Sequence, residues 1–185
     1  FITTPDGQIA AAAGELKKYP LKNKIICHAS GALPAKILGV KNAASAHPLC
    51  AVASPRASLK NITFVLEGPA APALAKIFKK AGNPVIKIKP ENKILYHAAC
   101  VMAGNLNFAL LQAAADLFKK AAIPPAAWRG LFEASCKNFF EQGPKALTGP
   151  LARGDAQTVK MHIKALRGPA KNIYTALSKA LAELK

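Results

Sequence analysis

The distribution of strand-forming residues constrains the fold of this chain more than any other feature. Runs typical of β-strands occur only up to Ile88, and they alternate with segments typical of short helices. These strand-like runs are FITT, KIICH, AASAH, ITFVLEG and PVIKI. Strands that alternate with helices predict a mainly parallel sheet with helices packed on it.

From Pro90 onwards the sequence favours helices alone. The first predicted helix runs for about 30 residues and begins at Pro90, because proline is well tolerated at the first position of a helix. Three further helices are predicted over 124–143, 155–168 and 169–185, with Asp155 as an N-cap. The pattern therefore predicts an α/β part over residues 1–89 and an all-α part over residues 90–185.

The charge of the chain favours anionic partners. Its formal net charge is +17, from 26 Lys and Arg against nine Asp and Glu. The cations are dispersed along the predicted polar faces of helices, which indicates a solvated basic surface and makes a nucleic-acid-binding protein the less favoured alternative.

Cysteine spacing and hydropathy bear on the compartment. The cysteines are far apart and form no CxxC pair, so we expect reduced thiols in a cytoplasmic protein.

The longest apolar stretch, 98–111, is interrupted by Gly104, Asn105 and Asn107, so we expect no membrane span.

Polar residues follow three of the early strand-like runs. FITT leads into Thr4, Pro5 and Asp6, AASAH ends in His47 followed by Pro48, and KIICH leads into His28, Ala29, Ser30 and Gly31. Parallel strands end at one edge of a sheet, where open α/β folds bind ligands. Each break taken alone is also explained by a turn or a helix cap, for example by Asp6 as an N-cap, but three together favour a binding site.

A second group of candidate residues lies on the predicted long helix. Lys93 and His97 are four positions apart and share one face, and both are credible proton donors. Asn105 continues the same ridge and needs a partner if it is buried. The alternative is a solvated Lys beside a core histidine, with Asn105 in a packing hydrogen bond.

The segment ALTGPLARGD interrupts the helical half with polar residues. Gly149 and Pro150 end one helix and Asp155 begins the next, so Arg153 projects from the turn between them. An arginine beside a helix N-terminus suits a carboxylate or phosphate, and Thr148 adds a hydroxyl donor. The alternative is an elaborate turn in which Arg153 pairs with Asp155.

Several familiar signatures are absent from the sequence. It contains no GxGxxG, no P-loop, no GxSxG and no HExxH. Its His and Cys residues do not have zinc-finger spacing, and few carboxylates accompany them, so we expect no metal site. The sequence also has no aromatic platform of the kind found in RNA-binding domains.

Taken together, five segments resemble a known family. CHASGALPAKIL, AHPLCAV, FVLEG, KILYHAACVMAGN and ALTGPLARGDAQTVKMH are similar to the bacterial Rossmann-like proteins that carry the domain of unknown function DUF2520. These belong to the wider group of pyrroline-5-carboxylate reductase, ketopantoate reductase and 6-phosphogluconate dehydrogenase. The resemblance implies a Rossmann-like NAD(P)-binding domain followed by an all-helical domain of the 6-phosphogluconate dehydrogenase C-terminal type.

The resemblance also implies a chemistry and roles for residues. It implies an oxidoreductase that uses NADP or NAD to transfer a hydride to or from a small anionic substrate, a carboxylate with a carbonyl or imine group. Related reductases place a Lys and an Asn on the first helix of the C-terminal domain, which Lys93 with His97 or Asn105 matches. Thr148, Gly149 and Arg153 would hold the substrate. The cofactor would lie against the strand-end residues, namely Thr4, Pro5, Asp6, His28, Ser30, Gly31, His47 and Pro48.

The same resemblance implies that the first strand and the glycine-rich turn of the nucleotide domain precede Phe1. The long apolar helices make a homodimer plausible, and a non-catalytic dimerisation or scaffold module is the main alternative to an enzyme.

Overall fold

The computed structural model describes residues 1–184. The chain divides into two compact units, Phe1–Asn105 and a second unit from Leu106 on. The first unit contains the whole sheet and the second is entirely helical, which confirms the predicted fold class. The strand pattern ends before residue 90, but the first unit extends to Asn105 because one more helix packs with the sheet.

The sheet has four strands in the order β1-β2-β3-β4. They are β1 Ile26–His28, β2 Ala43–Pro48, β3 Phe64–Glu67 and β4 Val85–Lys87. The pairs β1–β2 and β3–β4 are parallel, whereas β2 and β3 are antiparallel. Two of the three pairs are thus parallel, as expected for a mainly parallel sheet, and the pair β2–β3 is the exception. The segment between β2 and β3 contains no helix, and without a crossover helix the chain returns antiparallel.

The run FITT does not form a full strand. Ile2 makes a single parallel bridge to His28 and so continues the direction of β1 at that side of the sheet. The backbone N–H of Ile2 donates to the Cys27 carbonyl at 2.7 Å.

Helices cover both faces of the sheet. The sheet unit contains α1 Ile9–Leu16, α2 Ala71–Lys80 and α3 Lys93–Ala103, with short 3₁₀ turns at Asp6–Gln8, Ala35–Leu38 and Pro90–Asn92. Neighbouring residues of β2 point to opposite faces, so Ala43 packs in the α1 layer and Ala44 in the α2 layer. The small side chains of β2 thus allow both layers to approach the sheet closely.

Asp6 does not cap α1, contrary to one interpretation of the sequence. It opens the 3₁₀ turn Asp6–Gln8, and α1 begins only at Ile9 without any side-chain cap. The Asp6 carboxylate instead accepts a hydrogen bond from the Ser30 hydroxyl, at 2.9 Å.

The helical unit contains five α-helices. They are α4 Leu106–Lys120, α5 Pro125–Gln142, α6 Gly149–Arg153, α7 Ala156–Ala165 and α8 Gly168–Ala182. The Asp155 side chain accepts from the backbone N–H and the hydroxyl of Thr158, at 3.0 and 2.6 Å, which confirms it as the N-cap of α7. Between residues 106 and 184, only Ser178 is buried.

The predicted helix of about 30 residues is interrupted, so that expectation was wrong. α3 ends at Ala103 and α4 begins at Leu106. Gly104 and Asn105 lie at the break, and both residue types have low helix propensity. Within Pro90–Lys120, an 18-residue window is apolar enough to cross a membrane, with a mean hydropathy of 1.5. That test uses length and composition only, and Lys93 near the start of this segment is buried in the sheet unit.

All four cysteines are free. Only Cys27 is buried, and burial raises the pKa of its thiol to about 12. Cys50, Cys100 and Cys136 are partly exposed.

Candidate functional site

The predicted polar strand ends share one edge of the sheet. Ile2, β1 and β2 all run parallel, with His28 opposite both Ile2 and Ser45. The residues that follow therefore leave the sheet on the same side, as the sequence predicted. Thr4, Pro5 and Asp6 are exposed there, and Pro48 is half-buried at the end of β2.

The Lys93 side chain joins α3 to this edge. Lys93 is only 1% exposed. Its Nζ donates to the Ser30 carbonyl at 2.9 Å and also to the Ser45 hydroxyl. Burial lowers the pKa of Lys93, and the negative charges of Glu67 and Asp6 oppose that shift. The amine therefore fixes the first turn of α3 against the ends of two strands.

The turn after β1 is shaped by Ser30. Its hydroxyl accepts hydrogen bonds from the backbone N–H groups of Ala32 and Leu33 at 3.2 and 2.9 Å, and donates to Asp6. With these bonds the Ser30 side chain is fully engaged. It contributes to the site by holding the Gly31 backbone in place.

His28 is a buried and neutral imidazole. It is 0% exposed, and its Nδ1 accepts a hydrogen bond from the Ser30 backbone N–H at 3.1 Å. The ring proton is therefore on Nε2, which has no partner of ordinary hydrogen-bond geometry within residues 1–184. Burial lowers the pKa of His28, and the nearby Pro34 carbonyl opposes this shift.

Gly31 lies between two further histidines. A Cβ atom at Gly31 would be 2.5 Å from Cδ2 of His97 and 3.1 Å from both Cδ2 and Nε2 of His47. The two imidazole rings meet edge to face, with centroids 5.9 Å apart. A larger residue at position 31 would displace one of the rings, so glycine is what allows both rings to pack directly against the backbone.

Tyr96 completes the cluster. Its hydroxyl oxygen is 2.6 Å from Nδ1 of His47. Burial lowers the pKa of His47 to about 4, and His97 and Lys93 add to this effect. The site thus contains a buried cation, Lys93, and partly exposed imidazoles, His47 and His97.

Sequence reasoning missed three residues of this site. Tyr96 could have been found from its spacing, because it lies three residues after Lys93, on the helix face that carries Lys93 and His97. Ser45 is a polar residue inside an apolar strand, which indicates a buried partner. Glu67 is 4% exposed and accepts from the Ala35 backbone N–H at 2.6 Å, a long-range contact for which the sequence gives no signal.

Asn105 is not grouped with Lys93 and His97. It is exposed and lies beyond the end of α3, twelve residues after Lys93. Along a helix this separation corresponds to about 18 Å.

The remaining predicted residues lie in the helical unit. Thr148 is exposed at the N-cap position of α6, where it makes no side-chain cap bond, and Gly149 begins that helix with φ of +88°. Arg153 is exposed and forms no ion pair within residues 1–184; the Asp155 carboxylate is bonded to Thr158 instead. Thr148 also borders a cavity of about 330 Å³, together with Phe139, Leu147 and Leu181.

The part of the chain that the structure describes contains no group of three or more His, Cys, Asp or Glu side chains able to hold a metal ion.

Comparison with known families decides where the chain belongs. The model of the domain of unknown function DUF2520 matches residues 62–181, more than half of the chain. The chain is a member of the DUF2520 family. Its match includes Lys93, Tyr96 and His97 and extends through the helical unit. A search of curated proteins finds no significant match.

Solved structures share the fold of this DUF2520 protein. Protein TM1727 from Thermotoga maritima is 26% identical, with a TM-score of 0.80 over 100% of this chain and 76% of the other. A Bacteroides fragilis protein described as "putative NADP oxidoreductase BF3122" is 23% identical, with a TM-score of 0.76 over 98% of this chain and 73% of the other. Both structural matches extend over the sheet unit and the helical unit.

The pKa of His47 predicts an acid-sensitive stability. The folded ring stays neutral down to about pH 4, whereas an unfolded histidine binds a proton near pH 6.5. The unfolded state therefore binds more protons in this window, and the free energy of unfolding should fall as the pH drops from 6.5 to 4. Because His47 is partly exposed, we expect a contribution of about 1–2 kcal/mol.

Urea unfolding of the wild type and of His47→Gln, at steps between pH 4 and 7, measures this contribution. The stability difference between the two proteins should change across the window in the stated direction. His162→Gln, at an exposed ring of α7, is the control for the loss of a histidine ring away from the site. A His47→Gln profile parallel to the wild type would contradict the assignment.

Proposed function

We propose that this DUF2520 protein is an NAD(P)-dependent oxidoreductase. It would transfer a hydride between the nicotinamide ring and the carbonyl or imine carbon of a small substrate that carries a carboxylate. The observation that carries the proposal is the convergence of Lys93, His47 and His97 around Gly31 at the carboxyl edge of the parallel strands. The oxidoreductase description of the structurally similar Bacteroides protein supports the same class.

The residues at this edge are proposed to face the nicotinamide end of the cofactor. The bare backbone of Gly31 lets the His47 and His97 rings pack directly against it, and these two rings would lie nearest to the cofactor. The cofactor-side wall is formed by the strand-end residues Thr4, Pro5, Asp6, His28, Ser30, Gly31, His47 and Pro48. The bound cofactor would supply the hydride or accept it, and the protein orients the reacting groups.

His97 is the better placed of the two predicted proton donors. It is partly exposed, packs against Gly31 and forms no hydrogen bond within the described residues. Lys93 already donates to Ser30 and Ser45, so its role is to hold the site in shape and to add positive charge. We assign His97 to protonation of the substrate heteroatom.

Within the helical unit, Arg153, with Thr148 and the backbone amides near Gly149, is proposed to bind a carboxylate. Arg153 is exposed and forms no ion pair among residues 1–184, although its charge acts on the nearby Asp155, so its guanidinium can reach an anion. The net charge of +17 would favour the approach of an anionic cofactor and substrate.

The role assignments predict distinct kinetic losses in the full-length protein. We expect His97→Ala to lower kcat by about 10²–10⁴-fold, the usual contribution of a general acid. Arg153→Ala should raise KM for carboxylate substrates with a smaller effect on kcat. Oxidation of NADPH or NADH with a panel of small oxo acids and cyclic imino acids measures both parameters.

Arg129→Ala is the matched control for Arg153→Ala, since Arg129 is exposed on α5 and pairs only with Glu133. It should keep wild-type kinetics. Unchanged kcat/KM in His97→Ala, or no turnover of any compound in the panel by the wild type, would overturn the proposal.

We also propose that the protein is a homodimer through its helical unit. A unit of some 80 residues needs a buried apolar core for stability. Here α4, α5, α6 and α7 contain no buried residue, and large apolar side chains such as Phe108 and Phe140 are 74% and 86% exposed. A second copy offers the same apolar helices and can cover them symmetrically.

Charged substitutions on these helices test the dimer. Phe108→Glu and Phe140→Glu should shift the protein from dimer to monomer in sedimentation velocity and lower its Tm, because each would place a carboxylate in an apolar interface. Ile77→Glu, an exposed apolar position on α2, is the control and should remain dimeric. A monomeric wild type, or one that partitions into lipid vesicles, would contradict a dimer.

The four free cysteines suit a reducing compartment, and we place the protein in the cytoplasm on that basis. A protein that dimerises but binds neither NADPH nor NADH would instead be the non-catalytic dimerisation module.

A further inference from the structure

We propose that Glu67 is a positioning residue. Its buried carboxylate is the counter-charge for the Lys93 amine, and this pairing fixes α3, and with it His97, against the ends of β1 and β2. The inference rests on the proposed function only in its kinetic consequence, the placement of His97 as proton donor. The pairing itself can be measured without any cofactor or substrate.

Lys93 and Glu67 are the only buried Lys, Arg, Asp or Glu side chains within residues 1–184. They are 1% and 4% exposed, respectively, and both belong to the sheet unit. A charged group removed from water is costly unless hydrogen bonds and an opposite charge compensate it. A buried amine and a buried carboxylate in one compact unit therefore favour a pair.

Three buried polar side chains form a row across neighbouring strands. His28 of β1 is paired with Ser45 of β2, and Ser45 is paired with Glu67 of β3. Directly opposed residues of antiparallel strands share one face of a sheet, with Cβ atoms about 5 Å apart. This face is the one covered by the α1 layer, because Ala43, two residues before Ser45, packs there.

Lys93 joins this row at Ser45. Its Nζ donates to the Ser45 hydroxyl and to the Ser30 carbonyl, and it forms no direct ion pair with Glu67 within the described residues. Ser45 is therefore the shared neighbour of the amine and the carboxylate. The attraction between the two charges acts across the protein interior, where it is weakened less than in water.

A bond of its own holds the Glu67 carboxylate inside the sheet unit. It accepts a hydrogen bond from the Ala35 backbone N–H at 2.6 Å, at the first residue of the 3₁₀ turn Ala35–Leu38. A hydrogen bond to a charged acceptor is shorter and stronger than one between neutral groups. The carboxylate is thus fixed near Ser45. The alternative role for Glu67 is to hold this turn and nothing more, and the test below separates the two.

The other acidic groups near Lys93 are weaker counter-charges. Among the groups that raise the pKa of Lys93 against the effect of burial, Glu67 comes first, followed by Asp6 and Cys27. Asp6 is exposed, so water screens its charge. Burial raises the pKa of the Cys27 thiol to about 12, so this group carries no charge near pH 7.

The histidines that face Lys93 do not replace Glu67 either. Burial lowers the pKa of His28 and of His47, and the charge of Lys93 adds to both shifts. Both rings are therefore neutral near pH 7, and neither offers a negative charge to the amine.

The pairing bears on the site because Lys93 is the first residue of α3. Its bonds to two strand ends fix where this helix starts. His97 follows one turn later and packs against the backbone of Gly31. An amine that loses its counter-charge gains more from returning to water, so the first turn of α3 would move and carry His97 with it.

The first test removes the charge of Glu67 and keeps its shape. The amide oxygen in Glu67→Gln can still accept from Ala35, so a residue that only holds the turn would be replaced without effect on Lys93. NMR titration of the lysine side chains in the full-length protein, with the Lys93 signal assigned by its loss in Lys93→Met, measures the pKa. We expect Glu67→Gln to lower the pKa of Lys93. Glu15→Gln, at an exposed carboxylate, is the matched control and should leave it unchanged. An unchanged pKa in Glu67→Gln, or a larger shift in Asp6→Asn, overturns the proposal.

Thermal unfolding gives a second readout of the pairing. Glu67→Gln and Lys93→Met should each lower Tm, because each leaves one buried charge without its partner. The double variant leaves neither charge, so its loss of Tm should be smaller than the sum of the two single losses. Additive losses overturn the pairing. If Glu67→Gln does not fold, a folded double variant supports the pairing, and a double variant that also fails to fold overturns it.

The kinetic consequence is tested by comparing charge with shape. In the NAD(P)H oxidation assay, Glu67→Gln should lower kcat by up to about 10²-fold with a smaller effect on KM, because a displacement of about 1 Å at a reacting group has that cost. Glu67→Asp keeps the charge and should retain more of kcat than Glu67→Gln. The reverse order would show that shape alone matters and would overturn the positioning role. Failure of the proposed hydride transfer would appear as a wild type without turnover and would leave the pKa and Tm results intact.

Discussion

The buried amine of Lys93 is the interaction on which the site depends. A charged amine removed from water needs compensating bonds, and Lys93 finds them at the Ser30 carbonyl and the Ser45 hydroxyl. These acceptors belong to the turn after β1 and to β2. The bonds therefore fix the first turn of α3 to both strands, and they do so at the edge where ligands bind in open α/β folds.

The position of Lys93 determines what else reaches this edge. Tyr96 and His97 follow three and four residues later, so they lie on the same side of α3. Tyr96 contacts His47, and His97 packs against His47 and the backbone of Gly31. The positive charge of Lys93 also lowers the pKa of His28 and His47. The site is consequently a set of hydrogen-bonding side chains arranged around one buried amine.

Much of this arrangement could be predicted from the sequence. The polar residues after three apolar runs predicted a shared edge of the sheet. The structure has that edge, because Ile2, β1 and β2 are parallel. The antiparallel β3 could not be found in this way, since ITFVLEG has the same strand pattern in either direction. Likewise, the apolar pattern continues through Gly104, so it predicted one continuous helix. The helix is interrupted there because glycine and asparagine have low helix propensity.

The sequence was less informative about partners. Spacing on a helix face predicted Lys93 and His97 as a pair of site residues, but it could not predict their burial. The Lys93 amine is buried, whereas the His97 ring is partly exposed. Ser45, Glu67 and Tyr96 depend on contacts across 32 to 49 positions of the chain, which residue patterns do not reveal. The exposed apolar helices were visible in the sequence only as a plausible dimer surface.

Lysine reactivity tests the central claim most directly. Reductive methylation of the native full-length protein, followed by mass spectrometry, compares Lys93 with Lys87 and Lys89, which are exposed and close in sequence. The account predicts that Lys93 stays unmodified in the native protein while both neighbours react, and that all three react in urea. Modification of native Lys93 at the rate of Lys87 would show that its amine is free, and the account of the site would be wrong.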